Sequence, residues 1–96
     1  MANYKLSKVA KEDLIRIHQY GVRKFGVRQA DKYFNDFFNT FELIVNQPYS
    51  FESVSFIKEG YRRCVSDSDS IYYRIENETV EIMTIIGRQD LNDIFK

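Results

Sequence analysis

The first half of the chain carries apolar residues at helical spacing, interrupted once by Gly26 and ended by Pro48. A proline cannot continue a helix, and Gly26 is suited to the left-handed C-cap position of a first helix. Ser7 is a good N-cap for that first helix. Two helices are therefore predicted, from Ser7 to Gly26 and from about Arg28 to Asn46, joined tightly as an antiparallel hairpin. One face of the first carries apolar or small residues at intervals of three or four: Ala10, Leu14, Ile17, Gly21 and Phe25.

The last third of the chain changes to the pattern of strands. The segments "YRRCV", "SIYYRI" and "TVEIMTII" are rich in β-branched and aromatic residues and are separated by "SDSDS" and "ENE". A two-residue turn at Asn77 and Glu78 would pair Ile75 with Val80 and place Arg74 opposite Glu81, which opposite charges favour. Continued without a break, this register pairs Tyr73 with Ile82, Tyr72 with Met83 and Ile71 with Thr84.

These elements predict one α+β domain over residues 1–96. A short strand around Tyr4 and Leu6 comes first, followed by the helical hairpin and then a three- to four-stranded antiparallel sheet. Residues 49–60 are predicted to be irregular, with a turn at Gly60. The core is expected to be lined by rings of the second helix packed on the sheet, with Phe34, Phe37, Phe38 and Phe41 against Ile71, Tyr73, Ile75, Val80 and Ile82.

Composition narrows the class of function. Fourteen basic residues balance fourteen acidic ones, whereas a protein that depends on phosphate contacts is usually strongly basic. Residues 1–32 nevertheless hold eight basic and three acidic residues, a net charge of +5, which suits an acidic partner. Cys64 is the single cysteine, which excludes an internal disulfide. No signal peptide or membrane span is evident, so a soluble cytoplasmic protein is expected.

No catalytic, metal or cofactor site is predicted. His18 is the only histidine and is interpreted as a boundary or surface residue, and Cys64 as a packing residue in a strand. The "DSD" at 67–69 lacks the later glycine and glutamate of a calcium loop. Arg62, Arg63 and Arg88 stand at predicted strand ends, where arginines either hold an RNA phosphate in a cleavage geometry or are solvated charges that face a partner.

The order of these motifs resembles the ParE toxins of the RelE/ParE superfamily, from bacterial type II toxin–antitoxin pairs. The resemblance covers nearly the whole chain. It rests on "YKLSKVAKEDL" at 4–14, "FG" at 25–26, "QADKYF" at 29–34, "EGYRR" at 59–63, "IYYRI" at 71–75, "VEIMTII" at 80–86 and "GRQD" at 87–90.

The resemblance implies one of two activities. RelE-like members cleave messenger RNA on the ribosome with basic residues on the sheet and a tyrosine or histidine near the C-terminus, whereas ParE-like members act on DNA gyrase. Here Ser70 stands where RelE-like members carry an arginine, and "QDLNDIFK" after Arg88 contains neither tyrosine nor histidine. We therefore expect a gyrase inhibitor that is not an enzyme, with an RNA endonuclease and a non-toxic antitoxin-binding relative as the alternatives.

Two sets of residues are expected to meet partners. Arg62, Arg63 and Arg88 are the candidates for the target, without a catalytic role. The resemblance implies a ParD-like antitoxin whose acidic, initially disordered segment would fold on the toxin. Its candidate contacts are Lys11, Arg16 and Arg23, in the basic region of the chain.

Overall fold

The computed structural model of the protein describes residues 3–87 of the chain. The architecture is α+β, with a helical hairpin packed on a sheet, as the sequence predicts. No helix within residues 3–87 has the length and apolar character needed to cross a membrane. The elements in chain order are β1 (Tyr4–Leu6), α1 (Lys8–Phe25), α2 (Val27–Asn46), β2 (Glu52–Ser53), β3 (Tyr61–Ser66), β4 (Asp69–Glu76) and β5 (Thr79–Ile86).

The helical hairpin begins and turns at the predicted residues. The Ser7 side-chain oxygen accepts the Ala10 N–H at 3.0 Å and caps α1. Gly26 joins the helices with φ 90° and ψ 166°, a conformation that glycine adopts far more easily than other residues. Gly21 is buried where the helices meet, and a Cβ there would lie 3.2 Å from the Cβ of Ala30. Gly21 therefore permits the close approach of α1 and α2.

Within the described residues the sheet has five strands, in the order β1-β5-β4-β3-β2. The predicted three- to four-stranded antiparallel sheet is corrected in two respects. β1 pairs with β5 in parallel, because the helical hairpin between them carries the chain across the sheet. β2 is a two-residue edge strand, Glu52 opposite Arg63 and Ser53 opposite Arg62, inside the segment predicted to be irregular. Both of its residues are exposed, so no apolar alternation marked it in the sequence.

The predicted register is correct next to the β4–β5 turn. Asn77 and Glu78 have φ of 52° and 61°, the two positive values that a tight type I′ hairpin requires. Ile75 pairs with Val80 and Arg74 with Glu81. The Arg74 guanidinium lies 2.8 Å from the Glu81 carboxylate and 3.0 Å from that of Glu76. The pKa of Arg74 is raised, mainly by its hydrogen bond to the Glu81 carboxylate.

On the side of Tyr73 away from the turn, the predicted register is wrong by one residue. A bulge shifts the pairing so that Tyr72 faces Thr84 and Ile71 faces Ile85, rather than Met83 and Thr84. The bulge has a packing reason, because strand side chains alternate between faces. Without it Thr84 would enter the core, whereas with it Ile85 does so and is 1% exposed.

Side chains of α1 and its cap hold the bulged part of β5. The Ser7 hydroxyl donates to the Met83 carbonyl at 2.7 Å. One carboxylate oxygen of Asp13 accepts the Ile85 N–H at 2.9 Å and the Thr84 hydroxyl at 2.8 Å. These bonds lie beyond the end of β1 at Leu6, on the edge of β5 that β1 occupies up to Ile82. Ser7 and Asp13 therefore satisfy backbone groups of β5 that β1 is too short to reach.

The predicted ring-lined core is present. Phe37 and Phe41 of α2 are buried with Ile71, Tyr73, Val80 and Ile82 of the sheet, while Phe34, Phe38 and Ile75 are partly buried against them. The Phe41 ring lies 5.3 Å from that of Tyr4 and 5.5 Å from that of Phe38, measured between centroids. The tilted and edge-on arrangements are the ones that aromatic pairs prefer.

Candidate functional site

The structure separates two of the predicted target-facing arginines. Arg62 and Arg63 are neighbours on β3, so their side chains leave opposite faces of the sheet. The Arg62 guanidinium donates to the Phe51 carbonyl at 2.7 Å and lies over the Tyr49 ring at 5.3 Å. Arg63 lies 3.7 Å from the Glu52 carboxylate. Arg62 and Arg63 therefore do not converge on one phosphate, and Arg88 lies outside the described residues.

Arg63 carries an unsatisfied donor. Its Nε is buried and has no hydrogen-bond partner within residues 3–87. The residue faces the side of the sheet opposite Cys64, which is buried towards the helices. Leaving a buried donor without an acceptor costs free energy, so Arg63 does not use its full hydrogen-bonding capacity within the described fold.

The three predicted antitoxin-facing residues are all exposed on α1 but do not form one row. A helix turns roughly 100° per residue, which places Arg16 and Arg23 on nearly the same line and Lys11 more than about 100° away from them. The Arg16 guanidinium pairs with Asp13 at 2.7 Å, so part of its charge is neutralised within the helix. Lys11 and Arg23 form no ion pair with a carboxylate among the described residues.

A cleft of about 580 Å³ opens between the helical hairpin and the β3–β4 turn. Its floor is apolar, and its lining includes Ile17, Gly21 and Ala30. Asp69 lies on the sheet side and is 3% exposed. Its carboxylate accepts a hydrogen bond from the Tyr33 hydroxyl of α2. This bond ties the β3–β4 turn to the second helix and gives a buried carboxylate one of the donors it needs.

The only histidine has a carboxylate neighbour that the sequence did not reveal. His18 Nε2 lies 2.7 Å from an Asp31 carboxylate oxygen, across the interface of α1 and α2. The ring of His18 also packs edge-on against Phe34, with centroids 5.3 Å apart. The two residues are thirteen positions apart, so no local motif reveals the pair. The contacts of His18 are those of a residue that joins the two helices.

Burial raises the pKa values of two ionisable groups, the Cys64 thiol and the Tyr73 phenol. It raises the pKa of the Cys64 thiol, which disfavours the reactive thiolate and agrees with the predicted packing role. Burial also raises the pKa of Tyr73 to about 12, and the positive charge of the nearby Arg62 partly opposes this rise. The Tyr73 hydroxyl donates to the Pro48 carbonyl at 2.6 Å.

Tyr73 predicts a loss of stability at high pH. The fold favours the neutral phenol, so the stability from this group is complete below the ordinary pKa of about 10 and is lost as pH rises towards 12. Tyr73→Phe should therefore lose less of its free energy of unfolding between pH 10 and 12 than the natural chain does. Urea unfolding at several pH values measures the difference, and Tyr49→Phe, at an exposed ring, is the control. Equal slopes for Tyr73→Phe and the natural chain would show that the phenol titrates freely.

The fold defines a class: a small α+β protein whose helical hairpin covers one face of a five-stranded sheet. A solved structure titled "Chromosomal ParDE TA system from P. aeruginosa" has this fold, with a TM-score of 0.74 and 22% identity, over 88% of this chain and 94% of that one. A toxin named ParE1 from Caulobacter vibrioides is 36% identical over 92 residues, which are 96% of this chain and 94% of that protein.

A second relative, also named Toxin ParE1, comes from Mycobacterium tuberculosis and is 24% identical over 89 residues, 92% of this chain and 91% of that protein. The family described as "ParE toxin of type II toxin-antitoxin system, parDE" matches residues 4–92. The chain therefore belongs to the ParE toxin family of type II toxin–antitoxin systems.

Proposed function

We propose that the protein inhibits DNA gyrase by binding it, without catalysis, and that a ParD-like antitoxin neutralises it in the cytoplasm. The observation that carries the proposal is the incomplete set of nuclease residues. Ser70 replaces a sheet arginine of RelE-like members, and no tyrosine or histidine follows Arg88. Phosphate clamping without a group to move the ribose hydroxyl proton would give weak cleavage. Binding to a protein target needs none of these groups.

The geometry of the arginines supports the same proposal. Arg62 is engaged with the Phe51 carbonyl on one face of β3, while Arg63 leaves from the other face. A cleavage site would instead need several cations directed at one phosphate. Arg62, Arg63 and Arg88 are proposed as contacts to the target rather than as catalytic residues.

The proposed antitoxin contacts are Lys11, Arg16 and Arg23. They belong to the region of net charge +5 that would attract an acidic segment and speed its docking. The titled ParDE system of P. aeruginosa supports a partner of the ParD type for this chain. Such a partner would place an amphipathic helix on an apolar groove of the toxin.

Expression in bacteria tests the toxic activity. Induction should stop growth with filamentation and DNA-damage signalling, and co-expression of the antitoxin should restore growth. Rapid loss of translation with cut messengers would favour the RNA endonuclease. Normal growth, together with tight antitoxin binding, would favour the relative that has lost toxicity.

Charge reversal tests the proposed antitoxin surface. Arg23→Glu and Lys11→Glu should slow association with the antitoxin, mainly at low salt, because exposed charges are screened beyond about 8–10 Å at physiological ionic strength. Arg16→Glu should slow association as well, since it changes the net charge by the same amount although Asp13 pairs with the natural side chain. Stopped-flow kinetics at two salt concentrations measures the rates, with the charge-preserving Arg23→Lys as control. Unchanged association rates for all three reversals would show that α1 does not contribute to the docking of the antitoxin.

A further inference from the structure

The turn between β2 and β3 holds two large apolar side chains in solvent. Phe56 is 84% exposed and its neighbour Ile57 is 60% exposed. Single exposed apolar residues are common on protein surfaces and need no explanation. Here an aromatic and an aliphatic residue stand side by side at the end of a hairpin, so the Phe56–Ile57 tip forms one apolar projection.

The backbone beneath the Phe56–Ile57 tip is fixed by hydrogen bonds. The Val54 N–H donates to the Tyr61 carbonyl at 2.8 Å, and the Val54 carbonyl accepts the N–H groups of Ile57 and Lys58 at 2.8 and 3.1 Å. Val54 itself is fully buried. Gly60 completes the turn with φ of 82°, in the region that favours glycine. A projection held in this way loses little conformational freedom when a partner binds it.

The charges beside the tip indicate the chemistry of that partner. The Lys58 ammonium lies 5.5 Å from the centre of the Tyr61 ring, and the Arg62 guanidinium lies over Tyr49. Neither cation forms an ion pair with a carboxylate within the described part of the chain. Glu59 is the one acidic residue of residues 54–62, so the net charge there is two basic minus one acidic, +1. An apolar pocket with carboxylates at its rim would complement this surface.

We propose that the Phe56–Ile57 tip is the anchor that seats in such a pocket on the target protein. The proposal rests on the proposed function, in which the toxin acts by holding a protein. The order of the sheet separates this anchor from the antitoxin surface, because β2 and β1 are opposite edges and α1 follows β1. In many interfaces a few well-packed side chains that fill a pocket on the partner carry most of the affinity.

The test replaces both side chains, Phe56→Ser with Ile57→Ser. Since each is exposed, the circular dichroism spectrum and the urea midpoint should stay close to those of the natural chain. Loss of a buried Phe or Ile contact lowers affinity by about 10- to 150-fold per side chain. The double variant should therefore fail to stop growth and should bind purified gyrase at least about 100-fold more weakly, while it binds the antitoxin with unchanged affinity. Leu43→Ser, at a 45% exposed position on α2, is the matched control and should remain toxic.

Growth arrest and gyrase binding separate this proposal from the proposed function. The natural chain could stop growth without binding gyrase, while the double variant does not stop growth. This result would support the anchor and contradict gyrase as the target. A double variant that stops growth as the natural chain does would overturn the anchor alone. The anchor is equally overturned if the double variant loses antitoxin affinity to the same degree. The double variant could instead keep its gyrase affinity but lose self-association or binding to anionic phosphatidylglycerol vesicles. That result would overturn the anchor and assign the tip to a second copy of the chain or to a membrane surface.

Discussion

Phe41→Ala should lower the free energy of unfolding by about 3–5 kcal/mol, the cost of removing a fully buried ring. The Phe41 side chain is 0% exposed and contacts rings on both sides, those of Tyr4 from β1 and Phe37 and Phe38 from α2. Truncation would leave a cavity where the second helix meets the sheet. The neighbours cannot easily fill it, because Tyr4 is fixed in a strand and Phe38 in a helix.

Urea unfolding of Phe41→Ala measures this cost directly. Phe56→Ala is the matched control, since it removes the same ring from an 84% exposed position, and it should change stability by less than about 0.5 kcal/mol. A loss below about 1 kcal/mol for Phe41→Ala would mean that the ring is not part of the core.

Asp13→Ala should have the next largest effect, a loss of about 2–4 kcal/mol. One carboxylate oxygen accepts both the Ile85 N–H and the Thr84 hydroxyl, and the Asp13 side chain is only 13% exposed. Each buried donor left unpaired costs about 1–3 kcal/mol. The bulge in β5 would lose its support from α1, so the amide of Ile85 should also exchange its hydrogen faster.

A graded set of variants separates the role of the Asp13 acceptor from that of helix content. Asp13→Asn keeps an oxygen that can accept one of the two bonds and should lose less stability than Asp13→Ala. Glu12→Ala removes a carboxylate from an exposed neighbouring position of α1 and should change stability by less than about 0.5 kcal/mol. Equal losses for Asp13→Ala and Glu12→Ala would show that the two bonds to β5 contribute nothing.

Much of the fold could be predicted because its signals are local. The stripe of α1, the cap at Ser7 and the break at Gly26 each depend on residues within a few positions of one another. The stripe is buried up to Gly21, whereas Phe25, the last residue of the helix, is 63% exposed. The β4–β5 register near the turn is equally local, since Asn77 and Glu78 determine which residues face each other.

The features that the sequence did not reveal depend on distant residues. The bulge in β5 is held by Ser7 and Asp13, which precede Met83 and Ile85 by 76 and 72 residues. The apolar run "IMTII" offered no local distinction between the two faces. The same holds for the parallel pairing of β1 with β5 and for the pair of His18 with Asp31, which exist only once the helices have packed.

The candidate site was predicted less completely than the fold. The sequence groups Arg62 with Arg63 because they are adjacent, but adjacency in a strand places side chains on opposite faces. The exposure of Phe56 and Ile57 could not be predicted either, because two neighbouring apolar residues in an irregular segment can be either buried or exposed. A partner surface consists of side chains that the folded structure leaves exposed, and a short sequence motif does not encode that exposure.

The most direct test of the proposed function compares two activities of the purified protein. Supercoiling by purified gyrase and messenger cleavage on purified ribosomes should be measured side by side, each with and without the antitoxin. We predict inhibition of supercoiling that the antitoxin reverses, with intact messengers. Cut messengers on ribosomes, with supercoiling unaffected at the same toxin concentration, would contradict the proposed function.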